Sequence, residues 1–233
     1  MASPISLMAM AITLSLTAPT IAAPAISDSQ LEPAPLLSPY VLTQAQISKL
    51  DTDVPVLDIW ENAEKRSIVE VFGAIDIDAT PTQIWKIMTD CDMQLQIVPN
   101  MTRCEIEKGT AATGWDERVQ VLNIGFLLPR VKSKFKSEYS PYREIKITRT
   151  GGDLSVLDGI WKLAVTPDGQ TRVTYRARLK PKLPVPRKLV QKATRQDMPE
   201  VLKNLKNLAE THSQAPSSLE TASFETTIVQ TIP

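Results

Sequence analysis

The stretch Gly73-Ala-Ile-Asp-Ile-Asp-Ala-Thr-Pro-Thr-Gln-Ile-Trp-Lys-Ile-Met-Thr-Asp90 joins the end of a strand to the start of a helix. Ile75 and Ile77 alternate with Asp76 and Asp78, the two-residue period of a half-buried strand, and Val69 and Val71 extend the same apolar row backwards. Gly73 falls on that row and marks a bulge or a close approach by another element. Thr80-Pro81-Thr82-Gln83 then starts a helix. Thr80 is the N-cap, Pro81 takes the first helical position, where no backbone donor is needed, and Gln83 closes the capping box. Ile84, Trp85, Ile87, Met88 and Cys91 give this helix its apolar side, and it should stop before Pro99.

Upstream, Thr43-Gln-Ala-Gln46 has the form of a second capping box and predicts a short helix to Leu50. Val54 to Trp60 and Ile68 to Ala79 read as the arms of a hairpin. Downstream, the two-residue period returns in several runs. Cys104 and Ile106 come first, then a long segment from Trp115 to Leu128, then Val131, Phe135 and Tyr139 against Lys132, Lys134 and Lys136. Ile145 and Ile147 follow, then Trp161, Leu163 and Val165, then Val173, Tyr175, Ala177 and Leu179. Gly151-Gly152 and Thr166-Pro-Asp-Gly169 supply turns. The expectation is six or seven antiparallel strands. After Pro186 the period becomes helical, with Leu189, Val190, Ala193, Met198, Val201, Leu202, Leu205 and Leu208 at steps of three and four. Pro199 inside this run predicts a kink near Met198 or a restart capped by Asp197.

The whole chain has 233 residues, 42% hydrophobic and 22% charged, with 26 basic and 26 acidic side chains, a composition that excludes disorder as the general state. One His and two Cys exclude most metal centres and most His-dependent nucleophilic catalysis, so neither a metal nor a cofactor is expected. Residues 1–25 carry no charged side chain and contain an apolar run followed by Ala23-Pro24-Ala25, the pattern of a signal peptide, so export to the periplasm or the extracellular space is expected. Residues 26–40 read as a Pro-rich spacer, 41–212 as the folded domain and 213–233 as a disordered Ser/Thr/Pro tail. In an oxidising compartment Cys91 and Cys104 have two readings: a disulfide closing a 14-residue loop, or two small buried hydrophobes.

A strand pair, short helices, a meander of antiparallel strands and a final amphipathic helix follow the order of the helix-grip fold, in the α+β class. The chain resembles the START-like (SRPBCC) superfamily in its polyketide cyclase and coenzyme Q-binding branch, over roughly residues 41 to 212. The residues that carry the likeness are Gly73 to Asp90, Val98-Pro99-Asn100-Met101 with Cys104-Glu105-Ile106, Gly152-Asp-Leu154 to Gly159-Ile-Trp161, and Leu183-Pro-Val-Pro-Arg-Lys-Leu189. The resemblance implies a curved sheet wrapped around the C-terminal helix, with a hydrophobic tunnel between them for a lipid, an isoprenoid quinone or a polyketide-like molecule. Side-chain parity would line that tunnel with Phe135, Tyr139, Trp161, Tyr175, Val201 and Leu205, each of which could equally fill a solid core.

Arg118 stands in Trp115-Asp-Glu-Arg118 on the opposite strand face from Glu117. Pointing inward, it would fix a carbonyl or carboxylate head group. The leading expectation is a non-catalytic binding domain. Its rival is a cyclase or aromatase in which Arg118, Tyr139 or Tyr175 polarises carbonyls, and what separates the two is a buried polar cluster, which the sequence does not display. A protein-interaction module without a ligand is the third reading. The acidic residues Asp76, Asp78, Asp90 and Asp92 read as solvated turn and edge charges. Charge is lopsided, with 7 basic and 16 acidic residues in 1–129 against 19 and 10 in 130–233. Lys132, Lys134, Lys136, Arg176 and Arg178 on outer strand faces, with the cations around the last helix, could favour an anionic membrane surface. Nucleic acid is not an expected partner, because aromatic residues are not interleaved with these cations.

Overall fold

The strand-to-helix passage at Gly73–Asp90 sits at the centre of a computed structural model that describes residues 40–61, 68–123 and 130–214. The element order is α1 (Gln44–Leu50), β1 (Val56–Glu61), β2 (Val69–Ile77), α2 (Pro81–Thr89), α3 (Cys91–Ile97), β3 (Met101–Thr110), β4 (Trp115–Leu122), β5 (Val131–Ser140), β6 (Glu144–Gly152), β7 (Leu154–Val165), β8 (Thr171–Pro181) and α4 (Arg187–Gln214). The strands form one antiparallel sheet in the order β1-β2-β8-β7-β6-β5-β4-β3, and α4 packs on its concave face as in a helix-grip fold. Eight strands stand where six or seven were expected. The edge strand β3, read from Cys104 and Ile106, is exposed on both faces along most of its length.

Every residue of β2 is buried, because both faces are covered. Val69, Val71, Ile75 and Ile77 face inward, while Phe72 and Ala74 pack outward under Tyr40, Leu42 and Trp60, with Leu50 of α1. Tyr40 therefore belongs to the folded domain rather than to the spacer: its ring lies 3.7 Å from that of Phe72, and Gln46 Nε2 donates to its hydroxyl at 2.8 Å. Residues 1–39 and 215–233, where a leader, the rest of the spacer and most of a tail were expected, lie outside the described residues. The helix itself runs to Gln214, so the tail begins later than residue 213.

Thr80 and Thr43 cap their helices as read, each with a complete capping box. The helix begun at Pro81 ends at Thr89 instead of continuing through Cys91. Asp90 is extended, and its carboxylate accepts from the backbone N–H groups of Asp92 and Met93, so it breaks one helix and caps the next. Asp76 is likewise no solvated edge charge. It is buried on the outer face and paired bidentately with Arg172, its cross-strand neighbour, at 2.6 and 2.8 Å. Val165 is 65% exposed, because the inward row of β7 ends at Leu163 before the Thr166–Gly169 turn.

Helix α4 is continuous through Pro199, which removes the expectation of a restart at Asp197. Its C-terminal half closes a solid core: Leu202, Leu205 and Ala209 pack with Ile75, Ile77, Ile84 and Val173. Asn204 and Lys206 fix this half by donating to the carbonyls of Ile97 and Asp76. Gly73 is the point of close approach. A side chain begun there would meet Leu202 Cδ1 at 3.2 Å and Met198 Cγ at 3.6 Å. Gly73→Val should therefore cost about 1–3 kcal/mol through overpacking. Urea titration reads the loss directly, and a variant as stable as the wild type would show that α4 is free to lift from the sheet.

Candidate functional site

Under the N-terminal half of α4 the packing opens into a cavity of two lobes that share Val98, Ser133, Tyr175, Met198 and Val201. The inner lobe, about 180 Å³, lies against β4 to β8 and is lined by Arg118, Gln120, Ser133, Phe135, Ser137, Tyr139, Trp161 and Tyr175, together with Met88 and Gln94. The outer lobe, about 430 Å³, is bounded by Val71, Leu122, Val131, Leu154 and Leu179 from the sheet. Leu183, Leu189, Val190, Ala193 and Asp197 bound it from the last loop and α4. Most of its wall is aliphatic, while Arg130, Asp153 and Asp197 add charge.

Side-chain alternation delivers Asp116, Arg118 and Gln120 to the concave face from one strand. Asp116 is 0% exposed and Arg118 is 3% exposed, and they form an ion pair. Arg118 Nε donates to Asp116 Oδ1 at 3.0 Å, and Nη2 donates to the Thr89 carbonyl at 3.2 Å and to the Tyr139 hydroxyl at 2.6 Å. The Tyr139 hydroxyl donates in turn to Asp116 Oδ2 at 2.5 Å. Arg118 Nη1 makes no hydrogen bond among the described residues, so the guanidinium that lines the inner lobe retains donors.

Burial pushes the Tyr139 phenol well above its ordinary range, a rise that the Arg118 charge partly opposes and Asp116 reinforces. Burial alone would lower the Arg118 pKa, but the hydrogen bond and charge of Asp116, with the hydrogen bond to the Tyr139 hydroxyl, outweigh it and leave the guanidinium firmly cationic. Tyr139 is thus a neutral donor, and Arg118 a fixed positive charge held by one carboxylate, one phenol and one carbonyl. Such a cluster can hold or polarise an oxygen atom of a bound molecule. Trp85 supports it with an edge contact to Tyr139 at 5.7 Å.

Tyr175 sits where the lobes meet. Its ring stacks on Trp161, its cross-strand partner, with centroids 4.2 Å apart. Burial pushes its phenol up to about 12.

Of the residues assigned to the tunnel by parity, Phe135, Tyr139, Trp161, Tyr175 and Val201 line the cavity, and Arg118 turns inward to join them. Leu205 does not. It is fully buried in the solid core, because α4 reaches the sheet at Gly73 and leaves no void beyond Leu202. Asp116 was missed, although it shares the parity of Arg118 two residues away. Cys91 and Cys104 are joined, with Cα atoms 5.3 Å apart, which fastens α3 to β3 beside the cavity. Among the described residues no cluster of His, Cys, Asp and Glu could hold a metal, and no helix is long and apolar enough to cross a membrane.

The basic ridge expected on the outer strand faces is broken up by pairing. Arg176 meets Glu70 at 3.8 Å and Arg178 meets Asp158 at 2.9 Å, both largely covered, while Lys134 pairs with Glu107 and Lys136 with Glu138. Cations on the sheet thus sit beside acids of the same or a nearby strand, which removes much of the one-signed field a membrane would feel.

A curved antiparallel sheet, a long helix gripped by it and a cavity between them define a START-like helix-grip domain. The chain belongs to the polyketide cyclase / dehydrase and lipid transport family, whose profile matches residues 69–210. Its fold is shared with the Zhui aromatase/cyclase of a Streptomyces species, at 12% identity and a TM-score of 0.55, covering 64% of this chain and 97% of that one. A START superfamily protein of Mycobacterium smegmatis is similar at 17% identity and a TM-score of 0.53, covering 61% and 98%. The lipid transfer and protein localization domain of human StarD13 is similar at 12% identity and a TM-score of 0.55, covering 67% and 85%. No curated protein matches the chain in sequence.

Proposed function

We propose that this protein binds an apolar molecule with an oxygen-bearing head, head inward, and shields or carries it outside the cytoplasm. The observation that carries this reading is the division of one cavity into a small lobe floored by a buried, partly unsatisfied arginine and a larger aliphatic lobe under α4. Enclosing a tail is favourable by about 0.8 kcal/mol per methylene, and a charge-assisted bond from Arg118 sets its direction. The lipid-transfer domain of similar fold and the lipid-transport part of the family description support a hydrophobic partner. Export is supported by the uncharged leader at residues 1–25 and by the joined cysteines, since such bonds persist in oxidising compartments.

Native mass spectrometry of the protein, expressed whole with its leader in an oxidising compartment, tests both parts. The expected result is a chain beginning at Ile26 with one released molecule that joins an apolar body to a carbonyl, carboxyl or hydroxyl. A protein that is empty and takes nothing from a lipid and quinone extract would overturn the binding reading, and an uncleaved cytoplasmic chain would overturn export.

A second reading is favoured by one observation. The Asp116–Arg118–Tyr139 cluster is the buried polar group that a cyclase or dehydratase would use to polarise a carbonyl while the cavity folds the substrate. The family description and the aromatase/cyclase of similar fold are consistent with it. Chemical alteration of the bound molecule on incubation would select this reading over a carrier.

A further inference from the structure

Tyr175 stands apart from the Arg118 cluster in its bonding. Its hydroxyl makes no hydrogen bond among the described residues, although the side chain lies in the cavity wall where the two lobes meet. The ring is fixed from both sides. Trp161 on β7 stacks against it at 4.2 Å and 29°, and on β2 its cross-strand neighbour is Gly73, the residue whose missing side chain admits Met198 and Leu202 of α4. Gly159, also on β7, leaves its position open: a Cβ begun there would meet the Tyr175 ring edge at 3.5 Å. A hydroxyl that faces the cavity with no protein partner is left to pair with water or with an acceptor on whatever binds there.

We propose that Tyr175 is a specificity residue that donates a hydrogen bond to a second oxygen of the ligand, set partway along its apolar body. The ligand class is then an apolar molecule with two separated oxygen acceptors, one at the end facing Arg118 and one at the passage between the lobes. A simple fatty acid satisfies Arg118 and leaves Tyr175 unpaired. An oxygenated acyl chain or a ring with opposed carbonyls satisfies both. The inference rests on the proposed head-inward binding of an apolar ligand and adds to it a reason for discrimination.

The test compares dodecanoate with its series of monoketo isomers, by calorimetric titration of the full-length protein and of Tyr175→Phe. Phenylalanine keeps the ring, the Trp161 stack and the shape of the passage, so folding stability should be unchanged. Wild type should bind at least one mid-chain keto isomer roughly tenfold tighter than dodecanoate, and Tyr175→Phe should lose that preference while binding dodecanoate as before. Equal binding of all isomers by wild type, or a preference that survives in Tyr175→Phe, would overturn the role of Tyr175 and leave the binding reading standing. Failure of every acid to bind would overturn both. Tyr175→Leu, which removes the ring as well, separates a packing effect, because it should weaken dodecanoate too.

Discussion

Asp116→Ala should lower the free energy of unfolding by about 3–5 kcal/mol, because it strands the Arg118 guanidinium in the interior with no anion beside it. Asp116 is fully buried and holds both Arg118 and the Tyr139 hydroxyl, so the substitution leaves two donors without their acceptor. The cause can be isolated by the double variant Asp116→Leu with Arg118→Met, which removes both charges and fills the space with apolar atoms. It should recover most of the loss, since a buried ion pair contributes little against a well-packed apolar replacement, whereas half a pair is strongly unfavourable. Urea titrations of the wild type, the single variant and the double variant decide it. A single variant within 1 kcal/mol of wild type, allowing for measurement error, would mean that water reaches the pair and that the inner lobe is no dry binding site.

The second large effect is expected at the disulfide. Replacing Cys91 and Cys104 together by Ser should cost about 3 kcal/mol, the chain entropy regained by an unfolded loop of this size. Reduction of the wild type should do the same, so the midpoint of denaturation with and without reductant is the measurement. The bond joins the first residue of α3 to an exposed edge strand, and α3 and its cap supply Gln94 and Val98 to the cavity wall. Loss of the bond should therefore weaken ligand retention as well as stability. A reduced protein with unchanged midpoint would show that α3 is held by Asn204 and the Asp90 cap alone.

Much of this is legible in the sequence, and the reason lies in the kind of signal each element emits. Capping boxes at Thr43 and Thr80 are local chemistry, complete within four residues, and both helices start where those residues place them. The inward rows of β2, β5 and β8 are a two-residue period over long strands, which survives even where Ser133 and Ser137 interrupt it. What parity does not supply is depth. It places Leu205 and Val201 on one face of α4 but says nothing about which of them meets packed side chains and which meets a void. That depends on Gly73, some 130 residues distant in the chain.

The acidic residues fail for a related reason. Asp76, Asp90 and Asp116 look alike in sequence, yet one is locked to Arg172 on the outer face, one caps a helix, and one supports the arginine of the inner lobe. Their roles are set by partners that the fold brings in from other strands and from the next backbone turn.

Pro199 lies at the boundary between the two halves of α4, one residue past Met198, which borders the void, and three before Leu202, which seals the core. Lacking a backbone donor, it leaves the Arg195 carbonyl without its usual partner four residues on. The helix is therefore weakest in its own bonding where its burden changes. The division separates two duties: the turns before Pro199 border the void, and those after it are seated in the packed core and hold the fold.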